Sequence, residues 1–474
     1  MQLIGRKEEQ RELQRYCESK KSEFVVVYGR RRVGKTYLVR QFFAGQFAFY
    51  ATGIAGGNMR MQIKGFNATL ERYGGRGGAQ NWVEAFERLR ELLESDRALR
   101  DAACGKLVVF IDEMPWLDTS RSGFIAALEF FWNSWASARD DVLLVACGSA
   151  TSWIVNNLFK NRGGLHNRVT GRIHLDPFTL GECESLLRNN GVNLSRQEVT
   201  EAYMVFGGIP YYLELLDRRL SLDQNIDWLC FRHGGQLRDE FEELFRSLYK
   251  HADRHLAVVR ACAKREAGME RIELLDAVNM SDGGTFTSTL EELEQCGFLR
   301  SYPRYGGGKQ GEIYQLVDPF TLFWLRFVDG NNDERWWSAN RLSAKIRSWS
   351  GRAFELVCLL HVPQMLRALG VWGVSVNACS WRSRSTSPGA QIDLVLDRAD
   401  GVANLCEMKW VSSGEEYAIV KAYSQALLRK AEAFAHETGA SKALHITLVT
   451  PGGLKRNAYS GTAAAAITAD DLFM

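Results

Sequence analysis

The sequence predicts an α/β fold whose front is a parallel sheet wrapped by helices, and three stretches carry that prediction. FVVVYGRRRVGKTYLVRQFF opens with an apolar strand, Phe24 to Tyr28, passes through a glycine-bounded loop and enters an amphipathic helix. LVVFIDEMPWL is apolar until it ends in Asp112 and Glu113, the pattern of a central parallel strand whose C-terminal edge faces a ligand. QIDLVLDRADGVANLCEMKW, from Gln391 to Trp410, reads as two alternating strands joined through Asp400-Gly401, with charged residues where strands pack.

At 474 residues the chain is too long for one core and divides, on length alone, into roughly three domains of about 150 residues. A hydrophobic content of 46% with 24% charged residues is that of a soluble globular protein. The net charge of +3 is too small to name a polyanionic partner, so any basic surface must come from local clusters. The ten cysteines form no CxxC pair and no histidine cluster accompanies them, which points away from a zinc site or a disulfide framework and fits a reducing cytoplasm. No apolar run approaches the ~18 residues of a membrane span. No internal repeat is visible, and the only biased tract is a short alanine run, TAAAAITA.

In order along the chain, the first loop is GxxxxGKT between a strand and a helix, the context in which backbone N–H groups wrap phosphates at a helix N-terminus. Gly29, Arg30, Arg31, Arg32, Val33, Gly34, Lys35, Thr36 and Tyr37 are the expected nucleotide cradle, with ATP and Mg²⁺ as the cofactors. Lys35 neutralises the β- and γ-phosphates, and the Thr36 hydroxyl ligates Mg²⁺. Asp112 is expected to hold Mg²⁺ and Glu113 to polarise the attacking water. The third strand, VLLVACGSA, ends in Ser149, where a polar group can sense the γ-phosphate; Gly-Ser there is equally simple turn chemistry. NRGGLHNRVTGRIHLDPFTLGE supplies Arg162, Arg168 and Arg172, one of which can stabilise transition-state charge as an arginine finger, in cis or from a neighbouring subunit of a homo-oligomer. Helices follow, interrupted at Gly207-Gly-Ile-Pro210, as a lid over the nucleotide.

The succession LIGRKEEQREL, GRRRVGKT, VVFIDE, ACGSATSWI, TGRIHLDPF and FGGIPYYLELL resembles the archaeal-type ATPases of the AAA-like and STAND branch of P-loop proteins, over residues 1–235. That resemblance implies a P-loop NTPase sheet with a helical lid, Gly5 and Arg6 near the adenine, Ser149 as sensor and Arg172 as candidate finger. Ala150 stands where the family usually has a second serine.

Residues 236–330 read as helices, AVVRACAKR, MERIELLDAVNM and SDGGTFTSTLEELEQCGFL, followed by a glycine-tipped hairpin, RSYPRYGGGKQGEIYQLVD. Ser281 or Asp282 is the expected cap of the third helix, whose apolar face holds Leu290 and Leu293, with Phe298 just beyond it. Three helices and a wing describe a winged helix-turn-helix, a form used on DNA and also as a protein-protein spacer. Arg300, Arg304 and Lys309 are placed to meet phosphates, although Glu291, Glu292 and Glu294 work against major-groove reading. Residues 331–349 read as a linker in which Trp336 and Trp337 pack between domains.

In the charged hairpin, Ile392, Leu394 and Leu396 face one side and Asp393 the other; Cys406, Met408 and Trp410 share the apolar side, Glu407 and Lys409 the polar one. Asp393 and Glu407 can hold a divalent metal, and Lys409 can orient or deprotonate a water beside it. With GRAFE upstream and KAYSQALLRK downstream, residues 350–474 resemble the PD-(D/E)xK nuclease superfamily, which implies a restriction-endonuclease-like α/β domain. It also implies that Glu355 joins the metal site and that Gln425 or Lys421 assists. Two readings stand: an ATP-switched, DNA-directed nuclease, and a regulatory ATPase with a silent DNA- or protein-binding last domain. Both are soluble and without a membrane partner.

Overall fold

Consecutive β-branched residues build the first strand, β1 (Glu23–Tyr28), where Phe24, Val25, Val26 and Val27 are all inaccessible to solvent. The computed structural model describes residues 3–160, 165, 167–249, 251–265, 267–303, 305, 312–383, 389–439 and 441–474. The chain divides into two units, Met1–Pro177 and Phe178–Met474.

In the first unit, β1 is followed by β2 (Phe49–Thr52), β3 (Leu107–Asp112), β4 (Val142–Gly148) and β5 (Gly171–His174). Their order is β2-β3-β4-β1-β5, with every neighbouring pair parallel. Parallel strands buried on both faces read as continuous apolar runs, which is why LVVFID and VLLVACG carry no alternation. Helix α1 (Lys7–Cys17) precedes β1 and α2 (Lys35–Phe42) follows the glycine loop. An aromatic core of Phe66, Trp82, Phe86, Phe124 and Phe131 covers the β2–β3 side.

The second unit begins with α3 (Leu180–Asn189) and α4 (Arg196–Phe206), each opened by a capping box, Thr179 with Glu182 and Ser195 with Glu198. The expected break lies at Gly207, whose φ of 63° ends α4; a Cβ on Gly208 would sit 2.0 Å from the Phe178 carbonyl oxygen, so only glycine fits. These helices fall within the second unit, which begins at Phe178. Residues 331–349 are no linker. Trp337 is 2% exposed, its indole N–H donates to Asp223 (2.8 Å) and its backbone N–H to Asp227 (2.9 Å), and its ring meets Phe323, Phe327 and Trp349. Aromatic packing at long sequence separation overrides the polar composition that suggested a joint.

Helix α5 (Ala252–Ala263), strand β6 (Met269–Glu270), helices α6 (Arg271–Val278) and α7 (Gly284–Gln295) and strands β7 (Leu299–Tyr302) and β8 (Ile313–Leu316) follow in that order, the strands forming an antiparallel sheet of order β6-β8-β7. Phe286, Leu290, Leu293 and Phe298 form its buried face. The N-cap of α7 is Gly283, without a side-chain hydrogen bond; Asp282 instead pairs with Arg271. Arg304 and Lys309 lie outside the described residues. Tyr305 donates its backbone N–H to Ser380 O (3.0 Å) and packs edge-on against Phe434.

Helix α8 (Ala344–Leu360) leads to β9 (Val376–Arg382), β10 (Gln391–Arg398) and β11 (Val402–Met408); α9 (Lys421–Thr438) then crosses to β12 (Ala443–Val449), and β13 (Ala465–Ile467) ends the sheet. The order is β13-β12-β11-β10-β9: β9, β10 and β11 run antiparallel, and β11, β12 and β13 parallel. A parallel pair needs a crossover, which α9 supplies between β11 and β12.

Candidate active sites

The first unit gathers its polar groups at the C-terminal ends of β1, β3 and β4. Gly29 (φ 139°) and Gly34 (φ 92°) take backbone conformations that side chains resist, and a Cβ on Gly29 would lie 2.4 Å from Leu175 O. Lys35, buried beneath the loop, donates to Gly29 O (2.9 Å) and Arg30 O (2.7 Å), which places its ammonium inside the cradle. Val33 is buried, Arg31 and Tyr37 face solvent, and Arg32 adopts φ 69°. The Thr36 hydroxyl donates to Asp112 Oδ1 (2.9 Å) and Oδ2 (3.0 Å). Burial raises the Asp112 carboxyl above the ordinary carboxylate range, offset in part by the Thr36 bond. A buried carboxylate beside a hydroxyl, below a phosphate-binding loop, is a donor set that fits Mg²⁺.

Glu113 has φ 46°, a left-handed conformation uncommon outside glycine. Its carboxylate accepts from Ser149 Oγ (2.8 Å) and Ser149 N (3.4 Å), so the expected sensor and the expected base touch. Sequence reasoning had no means of seeing this, since the two are 36 residues apart. Arg6, buried with φ 55°, donates through Nη2 to Val33 O (3.0 Å) and pairs with Glu9 (3.2 Å). Together with Gly5 (φ 66°) it buttresses the phosphate loop from behind. Tyr50, which the sequence did not single out, stacks on Phe110 and reaches Asp112 Oδ2 at 3.5 Å. Arg172 pairs with Val26 in the sheet and lies over the Phe159 ring at 4.3 Å. Arg168 is exposed, and Arg162 lies outside the described residues.

The second unit brings the charged hairpin residues together as their alternation requires. Leu394 pairs with Cys406 and Leu396 with Asn404, a register that sets Asp393 opposite Glu407 on one face. Phe354 anchors α8 beneath them, fully buried and 5.2 Å from the Trp410 ring. The Glu355 carboxyl is pushed up to about 7 by burial and by the charges of Asp393 and Glu407, while Lys409 and Arg352 pull it down. Four groups remote in sequence therefore share one electrostatic neighbourhood.

Glu407 is also engaged from α9. Lys430 forms an ion pair with Oε1, and the Tyr423 hydroxyl donates to Oε2 (3.3 Å). Lys409 Nζ lies 5.2 Å from the Tyr423 ring centroid. Lys421 and Gln425, the residues expected to assist, are exposed on another face of α9. Tyr423 and Lys430 stand seven residues apart, two helical turns, which is the signal that would have found them. Among the described residues no three His, Cys, Asp or Glu side chains converge as a ready metal cage. Glu355 is raised first by burial and then by Asp393 and Glu407, and a divalent cation beside it would relieve that acidic contribution.

The profile of one protein family, an ATPase domain predominantly from Archaea, matches residues 3–216. The chain is 22% identical over 415 residues to the uncharacterized protein MJECL04 of Methanocaldococcus jannaschii, covering 86% of this chain and 87% of that one. Among solved structures, the Walker-type ATPase PABY2304 of Pyrococcus abyssi is similar at 20% identity with a TM-score of 0.46, over 69% of this chain and 96% of that one. The ORC2 protein of Aeropyrum pernix is similar at 14% identity with a TM-score of 0.41, over 69% and 94%. The family match supports an archaeal-type ATPase domain, with nucleotide binding and ATPase function, for the front of this chain. No helix among the described residues is long and apolar enough to cross a membrane.

Proposed function

We propose that this protein binds and hydrolyses ATP and couples that nucleotide cycle to a DNA-directed, metal-dependent nuclease-like domain at residues 350–474, with a winged helix-turn-helix at 236–330. In the first site the loop from Gly29 to Tyr37 would wrap the phosphates, and Lys35 would turn its ammonium from the Gly29 and Arg30 carbonyls to the β- and γ-phosphates. Thr36 and Asp112 would hold Mg²⁺, which supplies neutralisation of the charge developing on the phosphates. Glu113 would orient the attacking water, and Ser149, hydrogen-bonded to it, would report the γ-phosphate to that base. Arg168 or Arg172 is the finger candidate, within one chain or across a homo-oligomer.

The observation that carries the nuclease reading is the grouping of Glu355, Asp393, Glu407 and Lys409, felt in the raised Glu355 carboxyl. The antiparallel-then-parallel sheet, with α8 before it and α9 inside it, supports the restriction-endonuclease-like assignment. Asp393 and Glu407, opposite each other on the sheet, would hold a divalent metal, with Glu355 drawn in from α8, and that metal would supply charge for a phosphodiester under attack. Lys409 would orient the attacking water, whose oxygen forms the new P–O bond while one proton passes to the departing oxygen. The test is incubation of supercoiled, linear and single-stranded DNA with Mg²⁺ or Mn²⁺, with and without ATP, beside Lys35→Ala and Lys409→Ala. Cleavage lost in Lys409→Ala and altered by ATP is expected; cleavage unchanged by Lys409→Ala would sink the reading.

A second reading, a regulatory ATPase whose last domain binds DNA or protein without cutting, is favoured by one observation. Lys430 already neutralises Glu407. DNA intact under every condition, with ATP still hydrolysed, would select it.

A further inference from the structure

A cavity of about 1110 Å³ lies in the second unit between the three-helix segment, α8 and strands β9 and β10. Glu355 and Asp393 form part of its wall, so it opens onto the acid group. Eight of its lining side chains are Lys or Arg and five are Asp or Glu. Arg260 pairs with Asp329 (2.5 Å) and Arg265 with Glu273, and the remaining lining charges are six cations against three acids. These six cations come from five places in the fold: Lys264 follows α5, Arg300 is on β7, Arg326 follows β8, Lys345 and Arg352 are on α8, and Arg382 is on β9. Charge spread along a wall suits a polyanion, whereas a small anion would call for convergence on one point.

We infer that this cavity is a channel for single-stranded nucleic acid, which threads past the cations and presents one phosphodiester to Glu355 and Asp393; the inference rests on the nuclease reading above and names its substrate. The volume exceeds the ~300–1,000 Å³ of small-molecule pockets. Treated as a cube it is roughly 10 Å on a side, narrower than the ~12 Å major groove of a duplex, let alone the duplex itself. Tyr305, just beyond β7, donates its backbone N–H to Ser380 O (3.0 Å) on the same wall. Arg300 is the positioning cation. Its Nε donates to Gln315 Oε1 (2.8 Å), and its guanidinium lies over the Tyr302 ring at 4.5 Å.

The experiment uses the full chain in EDTA and follows the anisotropy of a fluorescein-labelled thymidine oligonucleotide, of a duplex of the same length and of the labelled mononucleotide, across a salt series. The strand should bind at least tenfold tighter than either other probe. Arg326→Gln/Arg382→Gln, on exposed side chains, should weaken it and reduce the log–log salt slope by about 0.7 for each phosphate no longer neutralised. Arg300→Gln should weaken it further, and an unchanged urea midpoint, read by tryptophan fluorescence, in each variant checks that the second unit is folded. Equal or tighter duplex binding, a mononucleotide that binds as well as the strand, or a slope unchanged in the double variant overturns the channel. Binding in EDTA is blind to cleavage. Strand preference without Mn²⁺-dependent cleavage therefore upholds the channel and overturns the nuclease reading, while duplex cleavage without strand preference overturns the channel alone.

Discussion

His361 should make the second unit acid-sensitive through a single ring. It is 1% exposed, its Nε2 accepts the Leu180 N–H (3.0 Å) and its Nδ1–H donates to Val357 O (2.8 Å). A backbone N–H can only donate and a carbonyl only accept, so the neutral tautomer is dictated; protonation would set one N–H against another. Burial accordingly lowers its pKa from 6.5 to about 4. Because the folded pKa lies below the unfolded one, the contribution is complete above pH 6.5 and is lost as pH falls towards 4. At 1.36 kcal/mol per pH unit the loss is on the order of 3 kcal/mol. His361→Leu removes that proton linkage but leaves the Leu180 N–H unpaired, at a cost of about 1–3 kcal/mol at neutral pH. Urea unfolding followed by tryptophan fluorescence between pH 4 and 7 should show the variant weaker at neutrality and flatter towards acid. Parallel pH profiles for the two proteins would refute the reasoning.

Ser149→Ala removes the hydroxyl that holds Glu113 and should lower kcat for ATP about tenfold with KM little changed, as read by phosphate release; an unchanged kcat would separate the serine from the base. Since the Glu355 carboxyl sits at about 7, its ionised fraction rises from about one tenth at pH 6 to about nine tenths at pH 8. Mn²⁺ affinity measured by calorimetry should therefore strengthen roughly ninefold over that range, and Glu355→Gln should flatten the profile. Gly208→Ala drives a methyl to 2.0 Å from a backbone oxygen and should cost at least about 2 kcal/mol in denaturant, where a neutral result would contradict the close approach.

Local pattern made the phosphate loop and the charged hairpin legible. GRRRVGKT has its meaning only between a buried strand and a helix, and both neighbours announce themselves by periodicity; Asp393 and Glu407 share a face because strand alternation leaves no choice. What stayed hidden depends on partners far along the chain. Glu407 meets Lys430 across 23 residues, and the resemblance drew attention to Lys421 and Gln425 on the wrong side of the same helix. Trp337 binds Asp223 across 114 residues, a distance at which a polar, aromatic stretch looks like a joint. Capping boxes likewise disclose where a helix begins but not what it packs against.

The fastening of Tyr305 to Ser380 bears on how the molecule can be dissected. A fragment begun at residue 350 would cut α8 after six of its seventeen residues and leave the outer edge of β9 without the backbone donor that Tyr305 supplies. Bare strand edges recruit other strands. The tail of this chain is thus expected to aggregate when expressed by itself, and any activity assigned to it has to be measured with residues 178–349 in place.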